Sequence, residues 1–293
     1  MTEMTVRADP AVAVGRLEER IRSYGAPRAI VAFSGGVDSS TVLALAVRAL
    51  GADAVTGITA VSPSYPAGEL DHAKRVAAAI GVAHRTIETM EVEREAYARN
   101  DGERCFHCKT ELYATIGRLQ RLSGDAAVLA GANADDVGDF RPGIRAGRQR
   151  GVRNPLLEEG LRKDEVRAVA RELGLSVAGK PALACLSSRV AFGERITPDL
   201  LARIDQAERL VRDLGFDVVR VRHFGDRASI EVDDVAGLLA HQDLPSVRAR
   251  LESMGWRRVD VDLKGYRAGS MNRTLVSDGG IVPIKTRRGG NLP

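Results

Sequence analysis

Cysteine is scarce in this 293-residue chain: Cys105, Cys108 and Cys185 are too few and too odd in number for a disulfide scaffold. Aromatic residues make up 4%, so stacking platforms for single-stranded nucleic acid are not evident. No apolar stretch approaches the length that spans a bilayer, and no signal-peptide core follows the first methionine, so a cytoplasmic protein away from membranes is expected. Internal repeats and low-complexity segments are missing. Neither sign of charge dominates: the net +4 is dispersed, apart from a basic run at Lys285-Thr286-Arg287-Arg288, and suits small phosphate-bearing molecules as well as a nucleic acid. What remains is ordinary globular composition, 44% hydrophobic and 28% charged, with length for one large domain or two modest ones.

The most informative stretch is Ser34-Gly35-Gly36-Val37-Asp38-Ser39. The apolar run Ala29–Phe33 before it reads as a buried strand, and Ser39–Leu50 after it as a helix with almost no polar face. Paired glycines let the backbone turn tightly and bring N–H groups to one point at a helix N-terminus, which is a cradle for phosphate. Ser34 and Ser39 add hydroxyls, and Asp38 makes sense there as a holder of a magnesium ion that the phosphate also binds. The Lys of a GxxxxGK[ST] loop and the spacing of GxGxxG are both lacking, which disfavours kinase-like and dinucleotide-binding readings. The hexapeptide instead resembles the SGGxDS signature of the PP-loop ATP pyrophosphatases, enzymes that cleave ATP between its α and β phosphates.

Strand and helix patterns alternate through the first part of the chain: a leading helix at about Val12–Tyr24, strands at Ala54–Thr59, Ala83–Ile87 and Ala127–Ala130, and helices at Gly68–Ile80, Glu91–Asn100, Lys109–Leu122 and Lys163–Leu173. This predicts an α/β fold with a parallel sheet covered by helices on both sides and ligands at the strand carboxyl ends. After Thr197-Pro198 the pattern becomes a helix (Pro198–Leu214), a hairpin (Val218–Phe224 and Ala228–Val232), a helical segment Val235–Met254 broken near Pro245, and a last strand Arg258–Leu263. The expected organisation is an adenylating domain over 1–185, a smaller α+β domain over 186–285 for substrate binding and assembly, and a basic tail over 286–293.

The thiols come next. Cys105-Phe106-His107-Cys108 reads as a turn between two helices, and Cys185 lies in the loop-like Lys180–Arg189 stretch. Cationic, exposed surroundings favour reactive or metal-bound thiolate. Three thiolates suit zinc with His107 or water, or a [4Fe–4S] cluster with one iron open, and the spacing of His107 between the two cysteines favours the cluster. Gly131-Ala132-Asn133-Ala134-Asp135-Asp136 follows a strand, where a second nucleotide-facing loop belongs, and continues into Asp139-Phe140-Arg141-Pro142-Gly143. Arg220 and Arg222 share one face of a predicted strand, either a solvated face or a clamp for phosphate or carboxylate.

With these pieces together the chain resembles the LarE family, ATP-dependent sulfur transferases of nickel-pincer nucleotide biosynthesis. The resemblance rests on Ser34–Ser39, Arg104–Lys109, Gly131–Gly143, Asn154-Pro155-Leu156 and Ala184–Thr197, and departs at Ala191-Phe192, where Pro-Tyr is common. It implies a substrate, pyridinium-3,5-biscarboxylic acid mononucleotide, whose carboxylate is adenylated by ATP with Mg2+ and then converted to a thiocarboxylate. Ser34, Gly35, Gly36, Asp38, Ser39, Gly131 and Asn133 would bind ATP and pyrophosphate, and Arg189, Arg220, Arg222, Asp136 and Arg141 the substrate. Single-cysteine members give up the sulfur of the residue matching Cys185 and keep dehydroalanine. Members with a CxxC are thought to hold a [4Fe–4S] cluster on three cysteines, and Cys105, Cys108 and Cys185 fit that type. The resemblance also implies a homo-oligomer, other nickel-pincer biosynthesis proteins as partners, and no nucleic acid. A tRNA thiolase, a non-catalytic nucleotide-binding module and an ammonia-using ligase are the competing readings.

Overall fold

Five residues, Arg28–Ala32, form the central strand β1, and its interior is closed off on both faces: Ala29, Ile30 and Val31 are all buried. The computed structural model describes residues 9–136, 142–181, 184–267, 271, 276–277 and 280–281. In it α1 (Pro10–Arg22) leads into β1, then α2 (Val37–Leu50), β2 (Val55–Val61), α3 (Glu69–Ile80) and β3 (Ala83–Glu88) follow. After α4 (Glu95–Ala98) come α5 (Arg104–Ser123), β4 (Ala126–Leu129), α6 (Pro142–Arg148), α7 (Pro155–Glu158) and α8 (Lys163–Glu172). The sheet order is β3-β2-β1-β4, parallel throughout, with Ala29 opposite Val55 on one side and Ala127 on the other.

Alternation along β1 decides which helices cover which face. Ala29 and Val31 join a core with Leu17 and Ile21 of α1, Val42, Leu43 and Leu45 of α2, Ala73 and Ala77 of α3, and Val166 and Val169 of α8. Ile30 points the other way, into a core with Leu112, Tyr113 and Ile116 of α5. Helices therefore lie on both faces, as the βαβ alternation predicts, and β1 is neighboured by strands whose connections leave in opposite directions. The crevice at that switch point is where a doubly wound sheet takes its ligand.

The chain divides into two compact units, Met1–Ser62 with Ala67–Met90 and Cys105–Leu183, and Pro63–Pro66 with Glu91–Arg104 and Ala184–Pro293. The second unit thus takes in two segments, 63–66 and 91–104, that the sequence pattern assigns to the first domain. Its core is α9 (Pro198–Arg212) packed on β5 (Val219–Phe224), with β6 (Arg227–Val232), α10 (Val235–Ala240), α11 (Leu244–Ser253) and β7 (Arg258–Val261). Thr197 caps α9 by accepting the Leu200 N–H at 3.2 Å, and Pro198 opens it, where a missing N–H costs nothing. The hairpin β5–β6 is antiparallel, and β7 adds to β6 in parallel. The break in the 235–254 helical segment falls at 241–243, just before Pro245, which sits in the first turn of α11. Among the described residues no helix is long and apolar enough to cross a membrane.

Two expectations need correcting. The 91–100 segment is a 3-10 turn at Glu91–Glu93 followed by the four-residue α4. The CxxC is not a turn between helices either, because α5 starts at Arg104 and carries both cysteines in its first turn. Asp101 sets that start: its side chain accepts the Glu103 N–H at 2.9 Å and its carbonyl the Arg104 N–H at 3.1 Å.

Candidate active site

Between β1 and α2 the chain turns at Gly35, whose φ of +74° favours glycine, and a Cβ there would lie 3.0 Å from Ala73 Cα of α3. The loop is laced internally. Ser34 N–H donates to Ser39 Oγ at 3.2 Å, the Ser34 and Ser39 hydroxyls are 3.1 Å apart, and Ser39 Oγ donates to the Gly36 carbonyl at 3.2 Å. Gly36 caps α2 without a side-chain bond, so the opening N–H groups of a 14-residue helix face the loop with their partial positive charge. N–H groups that converge at a helix N-terminus can hold an anion, the role the sequence analysis expects of this loop.

The second loop, after β4, meets the first through Gly131. A Cβ at this position would fall 2.8 Å from the Asp38 carbonyl carbon and the Ser39 nitrogen, so only glycine allows the approach. Buried Asn133 then donates from Nδ2 to Asp38 Oδ1 at 3.4 Å. An Asx-type turn fixes it: Asn133 N–H donates to Asp136 Oδ2 at 3.0 Å, and Asp135 N–H to Asn133 Oδ1 at 3.0 Å. Asp136, a candidate substrate contact, thus spends a carboxylate oxygen on shaping this loop. Asp135 anchors the start of α8 by accepting the Lys163 N–H at 2.9 Å and pairing with Arg162 at 3.0 Å. The result places the Lys163 ammonium against Asp38 Oδ2 as an ion pair. Sequence reasoning missed Lys163; its signal was a lysine opening an amphipathic helix soon after Asn154-Pro155-Leu156. Arg141 lies outside the described residues.

In the second unit Cys185 precedes a short 3-10 turn, Leu186–Arg189, and is half-buried. Its carbonyl is gripped by the Ser188 N–H at 3.0 Å, the Ser188 hydroxyl at 2.7 Å and Arg189 Nη1 at 2.9 Å. Arg189 also takes the Ala184 carbonyl at 2.6 Å, Arg104 takes that of Ser187 at 2.8 Å, and Arg222 that of Ser188 at 3.0 Å. Tyr97 and Ser187 hydroxyls lie 2.6 Å apart. Three buried guanidiniums thus hold the carbonyls of one loop and fix the backbone that bears the thiol.

Their counter-charges are buried too. Arg189 pairs with Glu208, at 2.8 Å, and Arg222 with Glu231, at 2.9 Å. Arg220, 8% exposed, donates to the Val219 carbonyl at 2.8 Å and lies 5.1 Å from the Tyr266 ring centre; burial, followed by the charge of Arg189, pulls its pKa down. The solvated-strand alternative for Arg220 and Arg222 is therefore wrong. Both are interior groups, supported by Glu208 and Glu231 from α9 and β6. Burial opposes ionisation of Glu208, but Arg189, then Arg220 and Arg212, overcome it and hold the carboxyl below its ordinary range.

Glu208→Gln is expected to destabilise the protein by about 3–5 kcal/mol, because the amide turns N–H groups towards buried guanidiniums that need a full negative charge. Urea unfolding checks this, and a loss under 1 kcal/mol would refute it. The sign with pH follows from the lowered pKa: the stabilisation is present above the ordinary carboxylate range and is lost as pH falls through the depressed folded value.

Cys105 is exposed and Cys108 half-buried, three residues apart on one face of α5. The Phe106 ring between them lies under Arg145 at 4.5 Å. Among the described residues no three His, Cys, Asp or Glu side chains converge as a preformed metal site. Two cysteine sulfurs one helical turn apart do fit the donor chemistry of a cluster.

The NAD synthase family model matches residues 11–111, the part that holds the Ser34–Ser39 loop. An uncharacterized protein of Synechocystis sp. is 42% identical over 250 residues, 85% of this chain and 93% of that protein. Pyridinium-3,5-bisthiocarboxylic acid mononucleotide synthase of Lactiplantibacillus plantarum is 37% identical over 250 residues, 85% of this chain and 90% of its own. The NH(3)-dependent NAD(+) synthetase of Methanococcoides burtonii is 38% identical over 86 residues, 28% of this chain and 33% of that one.

Proposed function

The chain belongs to the LarE family of pyridinium-3,5-bisthiocarboxylic acid mononucleotide synthases, and from that premise we propose that it converts a carboxylate of pyridinium-3,5-biscarboxylic acid mononucleotide to a thiocarboxylate at the expense of ATP. In the first half, a carboxylate oxygen attacks the α-phosphorus, the bond to the bridging oxygen breaks, and pyrophosphate leaves with the electron pair. The Ser34–Ser39 cradle receives the departing phosphates, Asp38 would hold the magnesium that neutralises them, and Lys163 adds a fixed positive charge beside it. Adenylation turns a poor leaving group into a good one. In the second half, sulfur attacks the acyl carbon, the carbon–oxygen bond to the phosphate breaks, and AMP departs.

Cys185 is the residue assigned to sulfur delivery. If the sulfur is its own, abstraction of the Cα proton and cleavage of the Cβ–S bond release the thiocarboxylate and leave dehydroalanine after one turnover. Cys105 and Cys108, with Cys185, would hold a [4Fe–4S] cluster that supplies an exchangeable sulfide and so spares Cys185, and the count of three thiols supports this second type. Arg220 and Arg222 are the candidates for the mononucleotide's phosphate or second carboxylate, and Arg189 is assigned to positioning the Cys185 loop.

The observation that supports the adenylation reading most is the meeting of the two loops at Asp38. The test is pyrophosphate release with ATP, Mg2+ and the pyridinium dicarboxylate mononucleotide, alongside mass analysis of the product. Release that does not depend on the mononucleotide would overturn the reading. For the sulfur source, protein purified without oxygen is expected to carry about four irons and at least as many acid-labile sulfides per chain, lost in Cys105→Ala. Metal-free protein after reconstitution would assign Cys185 as a sacrificial donor.

A further inference from the structure

A single buried amide fastens the chain on both sides of Arg189, within the second unit. Asn100 lies just beyond α4 at a φ of +53°, the one non-glycine residue with a positive φ among the described residues, and it is 0% exposed. Asparagine in the left-handed region after a helix is an ordinary way to end one. That accounts for its backbone angle but not for where its bonds go. Nδ2 donates to the Ala191 carbonyl at 2.8 Å and reaches that of Val190 at 3.4 Å, and the Asn100 carbonyl accepts the Gly193 N–H at 3.1 Å. Oδ1 accepts from Nη1 of buried Arg104, and the same Nη1 donates to the Ser187 carbonyl at 2.8 Å. The Asn100 N–H donates to the carbonyl of Tyr97, whose hydroxyl lies 2.6 Å from that of Ser187. Every polar group of Asn100 is thus engaged, and most of its bonds serve the stretch that follows Cys185.

We propose that Asn100 is a positioning residue for sulfur delivery, acting through Arg104 on Ser187 and directly on the backbone of Val190–Gly193. Guanidiniums bound only to carbonyls fix points on a loop. An amide that donates on one side and accepts on the other fixes two stretches of the loop relative to each other, here residue 187 and residues 190–193. The left-handed backbone angle lets the side chain and the carbonyl of one residue reach that loop together. Attack on an acyl carbon demands a sulfur held in near-attack geometry, and a small misplacement is costly in rate. The effect falls on sulfur transfer and not on adenylation, because the phosphate loop belongs to the first unit. This inference rests on the assignment of sulfur delivery to Cys185 and deepens it.

The test is a single turnover of the full chain with ATP, Mg2+ and the pyridinium dicarboxylate mononucleotide, with pyrophosphate and thiocarboxylate followed in the same sample. Emission of Trp256, the chain's only tryptophan and 1% exposed, reports whether the second unit is folded. Asn100→Gly keeps the backbone angle and the bond to Gly193 and deletes the side chain alone. It is expected to leave pyrophosphate release and Trp256 emission native and to slow thiocarboxylate formation about tenfold, the worth of one buried hydrogen bond. A residue that only supports the fold lowers both products together or shifts the emission, and an unchanged thiocarboxylate rate, or an equal loss of both products with native emission, overturns the proposal. Should Asn100→Gly shift the emission, Tyr97→Phe decides alone, since it removes one hydroxyl and keeps the ring. Thiocarboxylate formation slowed about threefold with pyrophosphate release unchanged then supports the proposal, and any other result overturns it. Thiocarboxylate made at the native rate by Cys185→Ala refutes the sulfur-delivery assignment and this inference with it. A strict need for Cys185 with an unchanged rate in Asn100→Gly refutes this inference alone.

Discussion

Cys185→Ala is expected to release pyrophosphate at close to the native rate, in dependence on ATP and the mononucleotide, and to form no thiocarboxylate. The separation follows from where the groups sit. The phosphate cradle, Asp38 and Lys163 belong to the first unit, and Cys185 to the second. Alanine keeps the Cβ and the backbone of residue 185, so the carbonyl bonds from Ser188 and Arg189 persist and the loop has no reason to collapse. What disappears is the thiol. An acyl-adenylate with no sulfur nucleophile turns over only by hydrolysis, so pyrophosphate and AMP accumulate together with unchanged dicarboxylate. Product mass and pyrophosphate are measured in the same reaction. Thiocarboxylate formed at the native rate would remove Cys185 from sulfur delivery, and pyrophosphate release lost along with it would mean that the loop takes part in adenylation too.

Much of the first unit is legible in the sequence because its signals are local. Ala29–Phe33 is a continuous apolar run, as a strand buried on both faces requires, and paired glycines mark the tight strand-to-helix turn that follows it. The hairpin of the second unit is legible for the same reason, since a glycine turn joins two apolar runs. Lys163 was not, because its pairing spans 125 positions to Asp38 and no periodicity marks it. Nor was the burial of Arg220 and Arg222: two arginines alternating with valines look the same on a wet face as on one closed by Glu208 and Glu231, and only the tertiary fold supplies those partners. The segments 63–66 and 91–104 join the second unit through bonds remote in sequence, Leu186 N–H to the Ser64 carbonyl and Ile196 N–H to that of Ala98, each 2.8 Å. The first turn of α5 shows the limit of turn chemistry as a guide. Cys105-Phe106-His107-Cys108 has no helix-breaking residue, and the start set by Asp101 carries the helix through it.

Asp38→Ala separates binding from catalysis in a way that tests the electrostatics of the cradle. The change is expected to lower the rate of adenylation about a thousandfold or more while leaving the protein folded and ATP bound as tightly as before, or more tightly. The stability cost is modest: a partly buried acidic residue in the first turn of α2 contributes about 0.3–1 kcal/mol through the helix dipole, and its ion pair with Lys163 about as much again. Loss of the carboxylate also releases Lys163, whose ammonium then faces the phosphates with no counter-charge, so ground-state attraction rises. Attraction that is equal in ground and transition state does not accelerate the chemical step. A carboxylate that only tuned affinity would therefore leave the turnover rate untouched and shift KM, and a carboxylate that holds the ion at the breaking phosphate bond does the reverse. Lys163→Gln, with Asp38 kept, is expected to show the complementary pattern of weaker ATP binding. Measured ATP affinity and single-turnover pyrophosphate release for the two variants decide it, and a rise in KM alone for Asp38→Ala would move Asp38 from the reacting bond to the edge of the site.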